Sequence, residues 1–162
     1  MAVTFDNRQG VAYVPVGNAE MPYRLARLTV DFSETANVMA DTDIMKLFAI
    51  DADTFVDNVA VRVITADGEA CTPDIGDYLE NGNVVDVDGY FDAIDFNATG
   101  SSISKPGTFT LNEANPNTFL AWVRPYAQGK LYTANSDICL TAAGSGIENA
   151  VVEFSVLMHR VF

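Results

Sequence analysis

The sequence predicts an all-β protein, folded as a single jelly-roll-like antiparallel sandwich with an extended N-terminal arm. About nine short segments of alternating or β-branched apolar residues follow one another, with glycine, asparagine and aspartate turn signals between them. The chain has 162 residues, 49% of them hydrophobic, which is enough for one core. Antiparallel strands in this number close around one core as a sandwich or a barrel, and we favour the sandwich.

The arm is predicted over residues 1–20 and the sandwich over residues 21–162. Pro15 lies in the apolar stretch 11–16, where it cannot donate a backbone hydrogen bond. A central strand position is therefore excluded for this stretch. We expect it to run as an extended arm.

Four strands are predicted in the first half of the sandwich. The apolar residues alternate in the first strand, and β-branched residues are dense in the third, which favours strand over helix. The sequence Asn81-Gly82-Asn83 is a strong turn signal and ends the fourth strand. The four strands are predicted near residues 28–32, 44–50, 55–65 and 71–79.

The second half begins with a predicted helical turn over residues 86–96, where Phe91, Ile94 and Phe96 stand at helical offsets. Residues 97–117 are rich in Ser, Thr, Gly, Asn and Pro, and we predict a long exposed excursion there. Four further strands are predicted at residues 118–124, 130–134, 137–142 and 151–162.

The last of these strands is largely apolar on both faces. A sandwich covers only one face of a strand with its own core, so the other face needs a neighbouring subunit or a further layer. We expect an oligomer interface on that outer face, formed by Val151, Leu157 and Val161.

The chain is strongly acidic, with 9 Lys and Arg against 22 Asp and Glu and a net charge of −13. Such a surface repels phosphate backbones and anionic lipids, so we predict neither a nucleic-acid nor a membrane partner. No apolar run approaches the roughly 20 residues of a membrane span, and no secretory signal is visible, which predicts synthesis in the cytoplasm. The two cysteines, Cys71 and Cys139, are too few for a disulfide scaffold, and we predict buried free thiols.

Residues suited to catalysis are scarce in this sequence. The single histidine, His159, has no obvious partner along the chain, and no glycine-rich phosphate loop is present. We therefore predict no enzyme activity and no cofactor. Close aspartate pairs, such as Asp86 with Asp88, raise the alternatives of calcium binding and glycoside hydrolysis. We favour turn aspartates that cap backbone groups, with no metal.

Four segments, taken together, resemble a pattern found in small structural proteins of tailed bacteriophages. They are a strand ending in Thr-Ala, an Ile-Gly-Asp strand, an aspartate-flanked aromatic turn and a Tyr-x-Ala-x-x-x-Ile-x-Leu-Thr strand. The resemblance spans residues 48–158 and depends on the order and spacing of the segments. They occupy residues 59–66, 73–77, 88–95 and 129–141.

This resemblance implies a non-enzymatic β-sandwich protein of the virion, of the capsid decoration (cement) type. Such a protein sits on the outer surface of the head and clamps neighbouring capsomers. The implied partners are the major capsid protein and further copies of this chain, as a homotrimer. The arm would then lie on the capsid protein, through Phe5, Val11, Tyr13, Val14 and Val16.

Two other kinds of protein remain as alternatives. A head fibre, or a tail or baseplate component, shares the sandwich, but a fibre needs a long stalk or repeats, and this chain has no periodicity. A carbohydrate-binding module or small glycosidase needs exposed aromatic residues on one face. The single tryptophan, Trp122, argues against that reading.

Overall fold

The structure is a computed structural model that describes residues 4–8, 11–16, 23–103 and 129–161. In this part of the chain it contains eleven β-strands, and the all-β prediction is confirmed. The strands are β1 Thr4–Asp6, β2 Ala12–Val16, β3 Tyr23–Asp31, β4 Ile44–Ile50, β5 Thr54–Thr65, β6 Asp74–Leu79, β7 Val84–Phe91, β8 Gly100–Ile103, β9 Lys130–Tyr132, β10 Ser136–Thr141 and β11 Val151–Arg160.

The strands form two sheets that face each other as a sandwich. The first sheet has the order β1-β4-β10-β6-β7, and the second has the order β2-β3-β11-β5-β8, with β9 also paired to β5. The pairs are antiparallel except for β1, which runs parallel to β4. From β3 to β6 successive strands alternate between the two sheets. β7 stays beside β6 in the first sheet, β8 and β9 pair with β5 in the second, and β10 and β11 lie in the first and second sheets respectively.

The core lies between the sheets and follows from the alternation of side chains along each strand. In β11, which is central in its sheet, Val152, Phe154 and Val156 are fully buried. Ile138 and Leu140 of β10 are fully buried in the opposite sheet. Burial of each such side chain stabilises the fold by about 1.5–3 kcal/mol, so these two central strands anchor the sandwich.

An ion pair crosses the interior between the two sheets. Nζ of Lys130, on β9 of the second sheet, lies 2.5 Å from Oδ2 of Asp77, on β6 of the first. The Asp77 side chain is only 1% exposed. The ammonium group also lies 4.9 Å from the ring centroid of Tyr132, whose hydroxyl is hydrogen-bonded to that of Tyr90. A buried carboxylate needs such a partner, because an unpaired charge in the interior is costly.

The predicted helical turn over residues 86–96 is wrong, because Val84–Phe91 is a strand. Phe91 ends that strand, and Ile94 and Phe96 reach the core from the turn that follows. The turn is held by backbone hydrogen bonds from Ile94 N to Pro73 O and from Phe96 N to Cys71 O. Phe91, Ile94 and Phe96 therefore have the spacing of a helix because the end of a strand and the turn after it bury their side chains in the same core.

The first part of the segment predicted as an exposed excursion, residues 97–117, contains a strand. Gly100–Ile103 forms strand β8, which pairs with β5 at the edge of the second sheet. Residues 104–128, with Trp122 and the strand predicted at 118–124, lie outside the described residues.

Both described strands of the predicted arm pair with the sandwich. β1 adds to β4 at the edge of the first sheet, and β2 adds to β3 at the edge of the second. Pro15 therefore lies in an edge strand, where its missing N–H is tolerated. The boundary between an arm at residues 1–20 and a domain from residue 21 stays a prediction, since edge strands can belong to either.

Asp67 fastens the loop that precedes the central strand β11. Its Oδ1 accepts hydrogen bonds from the backbone N–H groups of Glu148, Asn149 and Ala150, at 2.9, 2.6 and 3.0 Å. The side chain is buried, with 3% of Asp67 exposed. One carboxylate thus satisfies three consecutive donors and sets the point where β11 begins.

Replacing Asp67 by alanine is expected to lower the free energy of unfolding by about 2–4 kcal/mol, because the three donors lose a charged acceptor. Urea denaturation followed by circular dichroism measures the change. Asp67→Asn is the matched control: it keeps an oxygen at the same position and should cost clearly less. Equal losses in the two variants would contradict this role for Asp67.

Candidate assembly surface

The outer face of the second sheet carries a row of three rings. His159 on β11 lies between Tyr23 on β3 and Phe55 on β5, its register partners on the two neighbouring strands. The ring centroids are 4.8 Å apart for Tyr23 and His159 and 5.3 Å apart for Phe55 and His159. Residues directly opposite on paired strands share one face of the sheet, so the row points away from the core.

Apolar side chains extend this row into a patch at one end of the sheet. Leu157 is flanked in register by Leu25, and Phe55 by Leu131. Two members are well exposed, Leu131 at 47% and Val161 at 42%, and the others are half-buried. We call the following six residues the outer patch: Tyr23, Leu25, Phe55, Leu131, Leu157 and Val161.

The structure separates the three residues predicted for the oligomer interface. Leu157 and Val161 lie in the outer patch, at the end of β11. Val151 is half-buried at the opposite end of the strand, paired with Asp31 and Thr65. Six residues of strand separate Val151 from Leu157, a distance of about 20 Å. The interface role of all three stays a prediction, and the surface favours the end that carries Leu157 and Val161.

His159 has a carboxylate partner that the sequence does not indicate. Nδ1 of His159 lies 2.8 Å from Oδ2 of Asp57, and both side chains are about a quarter exposed. The pair is 102 residues apart in sequence, and a register irregularity between Leu157 and Met158 lies beside it. Only the pairing of β5 with β11 brings the two together, so the sequence carried no local signal for it.

A pocket adjoins the ring row at the same end of the sandwich and contains two arginines. In the described part of the chain, neither Arg24 nor Arg160 has a carboxylate within ion-pair distance. Both side chains are exposed. A cationic site of this kind stands out on a chain of net charge −13. The polar residues that line the pocket are Arg24, Asp51, Thr54, His159 and Arg160.

The residues predicted for the arm contact fall into two groups. Phe5 and Val11 are partly buried and pack against the core of the sandwich, so each offers only its remaining surface to a partner. The side chains of Tyr13, Val14 and Val16 lie outside the described part of the structure, which gives only their backbone pairing along β3. Their contact with a capsid protein stays a prediction.

An ion-pair network holds the N-terminal segment to the first sheet. Asp137, on the central strand β10, is 1% exposed and receives Arg8 at Oδ1 and Lys46 at Oδ2, both at 2.8 Å. Arg8 also pairs with Asp6 at 2.6 Å, and this hydrogen bond lowers the pKa of the Asp6 carboxyl. The network fixes the segment after β1 against the sheet.

Several aspartates cap turns, in agreement with the reading favoured from sequence. Asp43 accepts from the backbone N of Ala40 at 2.9 Å, and Asp74 accepts from that of Ala93 at 2.8 Å. Among the described residues, no group of three or more His, Cys, Asp or Glu side chains is placed to hold a metal ion. Nor does this part of the chain contain a helix long and apolar enough to cross a membrane.

Both cysteines are free and buried, as predicted. Burial, with Asp67 nearby, raises the pKa of the Cys71 thiol to about 12, and burial raises that of Cys139 to about 12. We expect neither thiol to react with iodoacetamide at pH 8 in the folded protein, because the thiolate is the nucleophile. Mass spectrometry should show two adducts only after denaturation, and rapid labelling of the native protein would contradict the buried placement.

Comparison with known proteins gives a structural likeness only. No protein-family model and no curated protein matches this chain. A chain in the capsid of Ralstonia phage GP4 is similar over 100% of this chain and 99% of its own, with 14% identity and a TM-score of 0.60. A chain in the cyanophage Pam1 capsid asymmetric unit is similar over 91% of both chains, with 12% identity and a TM-score of 0.56.

A third chain, in the acidic stable capsid of Helicobacter pylori bacteriophage KHP30, is similar over 92% of both chains, with 12% identity and a TM-score of 0.53. Identities this low show a shared fold. The protein is thus a two-sheet β-sandwich of a kind that three phage capsid structures contain.

Proposed function

We propose that this protein is a structural component of a tailed-phage virion, a decoration (cement) protein on the outer surface of the head. The main support is the likeness to a chain of the GP4 capsid over 100% of this chain and 99% of the other. The sequence motifs that resemble virion proteins support the same role independently. The protein acts by contact: it clamps neighbouring capsomers and stabilises the shell.

The charge of the chain supports an exterior position. A net charge of −13 repels packaged DNA, so the inner wall of the capsid is an unfavourable place for it. The outer wall carries no such penalty. The major capsid protein is the proposed partner there, contacted through residues 1–20.

The outer patch supports self-association, and the resemblance to decoration proteins implies that the closed oligomer is a homotrimer. Contiguous apolar side chains on an outer sheet face are typical of a surface that is covered in an assembly. A closed oligomer binds a shell at several points at once, so weak single contacts add up to firm attachment.

Reconstitution tests the proposed function. Particles assembled without this protein are mixed with the purified chain, washed, and heated while DNA release is followed by a fluorescent dye. We expect saturable binding to heads and release of DNA at a higher temperature than in undecorated particles. Binding to tails alone, or binding without any gain in heat resistance, would contradict the decoration role.

Leu157→Asp is expected to weaken self-association at least about tenfold, because it places an unpaired charge in the outer patch. Leu157 is half-buried on the outer face, so the fold should survive. Analytical ultracentrifugation measures the association. Ile64→Asp is the matched control, since Ile64 is exposed at 43% outside the patch. A wild-type protein that stays monomeric at tens of micromolar would contradict self-association in solution and would mean that copies associate only when bound to the capsid.

A further inference from the structure

We propose that the pocket between the ends of the two sheets binds a small oxyanion, a phosphate or carboxylate group. Seven residues line this pocket, which has a volume of about 70 Å³. That volume has room for one such group and is too small for a nucleotide. The pocket uses none of the six residues of the outer patch, and the proposal does not rest on the proposed function. The lining residues are Arg24, Ala49, Asp51, Thr54, Met158, His159 and Arg160.

The strand register places both arginines on the core-facing side of the second sheet, at the end where the core meets water. Arg24 on β3 is opposite Met158 on β11, and Met158 is opposite the fully buried Val56 on β5. Arg160 lies two residues beyond Met158 and is opposite Thr54. Residues that are opposite one another, or two apart along a strand, share one face of the sheet. Arg24, Thr54 and Arg160 therefore approach the pocket from the same side.

The two guanidinium groups bring positive charge to the pocket that the protein does not fully compensate. Arg24 and Arg160 are diagonal neighbours on paired strands, whose Cβ atoms lie roughly 7–8 Å apart. In the described part of the chain, neither has a carboxylate within ion-pair distance. Asp51 also lines the pocket and offsets only one of the two charges. Because guanidinium groups bind phosphate and carboxylate through paired hydrogen bonds, an anion here would relieve their mutual repulsion.

A buried hydroxyl group without a hydrogen-bond partner belongs to the same pocket. Thr54 is only 5% exposed, and its side chain makes no hydrogen bond with the described residues. A buried hydroxyl is costly when it is unpaired, and it can donate to the oxygen of an anion. The two neighbouring guanidinium groups favour an anion over water as that acceptor. One neutral donor and two cationic donors thus line one pocket, a set that suits an oxyanion.

Titration of the full chain with inorganic phosphate tests the site. NMR signals of the backbone and of the arginine side chains are followed in isotope-labelled protein while phosphate replaces chloride at constant ionic strength. We expect saturable shifts at Arg24, Thr54 and Arg160. Arg24→Gln and Arg160→Gln should each weaken phosphate binding at least about tenfold, because each removes a charge-assisted pair of hydrogen bonds.

Arg27→Gln is the matched control for loss of charge. Arg27 is exposed on β3, three residues after Arg24, so its side chain lies on the opposite face of the sheet. This variant should bind phosphate like the wild type. No saturable shift with phosphate or with acetate would overturn the site, and so would binding that both Arg24→Gln and Arg160→Gln retain.

Two further variants separate anion binding from a role in folding. Thr54→Val removes the hydroxyl and keeps the shape of the side chain, so phosphate affinity should fall about threefold or more. Without phosphate, the free energy of unfolding of Thr54→Val should stay the same or rise, since the hydroxyl has no partner to lose. A marked loss of stability would contradict the assignment of this hydroxyl to the anion. Asp51→Asn should tighten phosphate binding, because it removes the negative charge from the lining.

Two sources can supply the anion, dissolved phosphate or a carboxylate side chain of the capsid protein, and binding to undecorated heads distinguishes them. Weaker head binding by Arg160→Gln than by Arg27→Gln would identify a carboxylate of the head. Equal head binding by the two variants, with phosphate binding lost only in Arg160→Gln, would identify dissolved phosphate. Failure of the titration would leave the decoration role untouched. Phosphate binding by a chain that does not protect heads from heat would support the site and contradict decoration.

Discussion

Lys130→Met should lower the free energy of unfolding by about 3–5 kcal/mol, because it leaves the carboxylate of Asp77 buried without its cation. Asp77 is 1% exposed and its Oδ1 has no hydrogen-bond partner among the described residues, so water offers no substitute. Methionine keeps most of the lysine stem and its packing against neighbours. Urea denaturation at pH 7 measures the loss.

The double variant Lys130→Met with Asp77→Leu is the control for that prediction. It removes both charges and leaves an apolar pair of similar volume, which typically restores stability or exceeds it. We expect the free energy of unfolding of the double variant to exceed that of Lys130→Met by about 2 kcal/mol or more. A double variant as unstable as the single one would mean that packing of the lysine stem, and not the charge pair, holds this end of the sandwich.

Deletion of residues 1–20 is expected to leave a folded sandwich that no longer attaches to capsids. The deletion removes β1 and β2, which are edge strands, and leaves the order β3-β11-β5 and β4-β10-β6 intact. Asp137 loses Arg8 but keeps Lys46, so its buried charge stays paired. The loss of attachment follows from the proposed contact of the arm with the capsid protein.

Two measurements separate folding from attachment in this truncated chain. Circular dichroism should retain the β signature with a cooperative melt, and a pull-down with undecorated heads should show binding near background. Arg8→Gln is the companion variant, since it weakens the tie to Asp137 without removing the arm, and it should keep attachment. Unfolding of the truncated chain would place residues 1–20 within the domain and move the predicted boundary.

The fold class could be predicted because the residue pattern that indicates a strand is local in sequence. Alternation and β-branched residues marked the segments 44–50 and 55–65, and β4 and β5 occupy nearly the same residues. Turn signals such as Asn81-Gly82-Asn83 divided the chain correctly. These signals depend only on neighbouring residues, so one sequence is sufficient for them.

Features that depend on strand order were not predictable from local pattern. The spacing of Phe91 and Ile94 predicts a helical turn over residues 86–96, whereas the two side chains reach one core from the end of β7 and from the turn that follows it. The arm gave no sign that β1 joins the first sheet and β2 the second, since both strands are short and β1 passes over its neighbours in sequence to pair with β4. Pairing at a sheet edge depends on which strand is outermost and so has unpaired backbone N–H and C=O groups, and that requires the strand order.

Only part of the outer patch could be predicted from the sequence, because its other members come from neighbouring strands. The apolar outer face of β11 identified Leu157 and Val161, because both lie on one strand whose alternation is visible. Tyr23 and Phe55 stand beside His159 only once β3 and β5 flank β11. The residues of such a surface can be predicted only when the order of the strands in the sheet is known.

The number of copies in each particle tests the decoration role most directly. Purified particles are digested, and peptides of this chain and of the major capsid protein are quantified against labelled standards by mass spectrometry. We predict on the order of hundreds of copies per particle, in a fixed ratio to the major capsid protein, because a decoration protein repeats with the symmetry of the shell. A count of about a dozen copies or fewer would contradict decoration and indicate a tail or baseplate component.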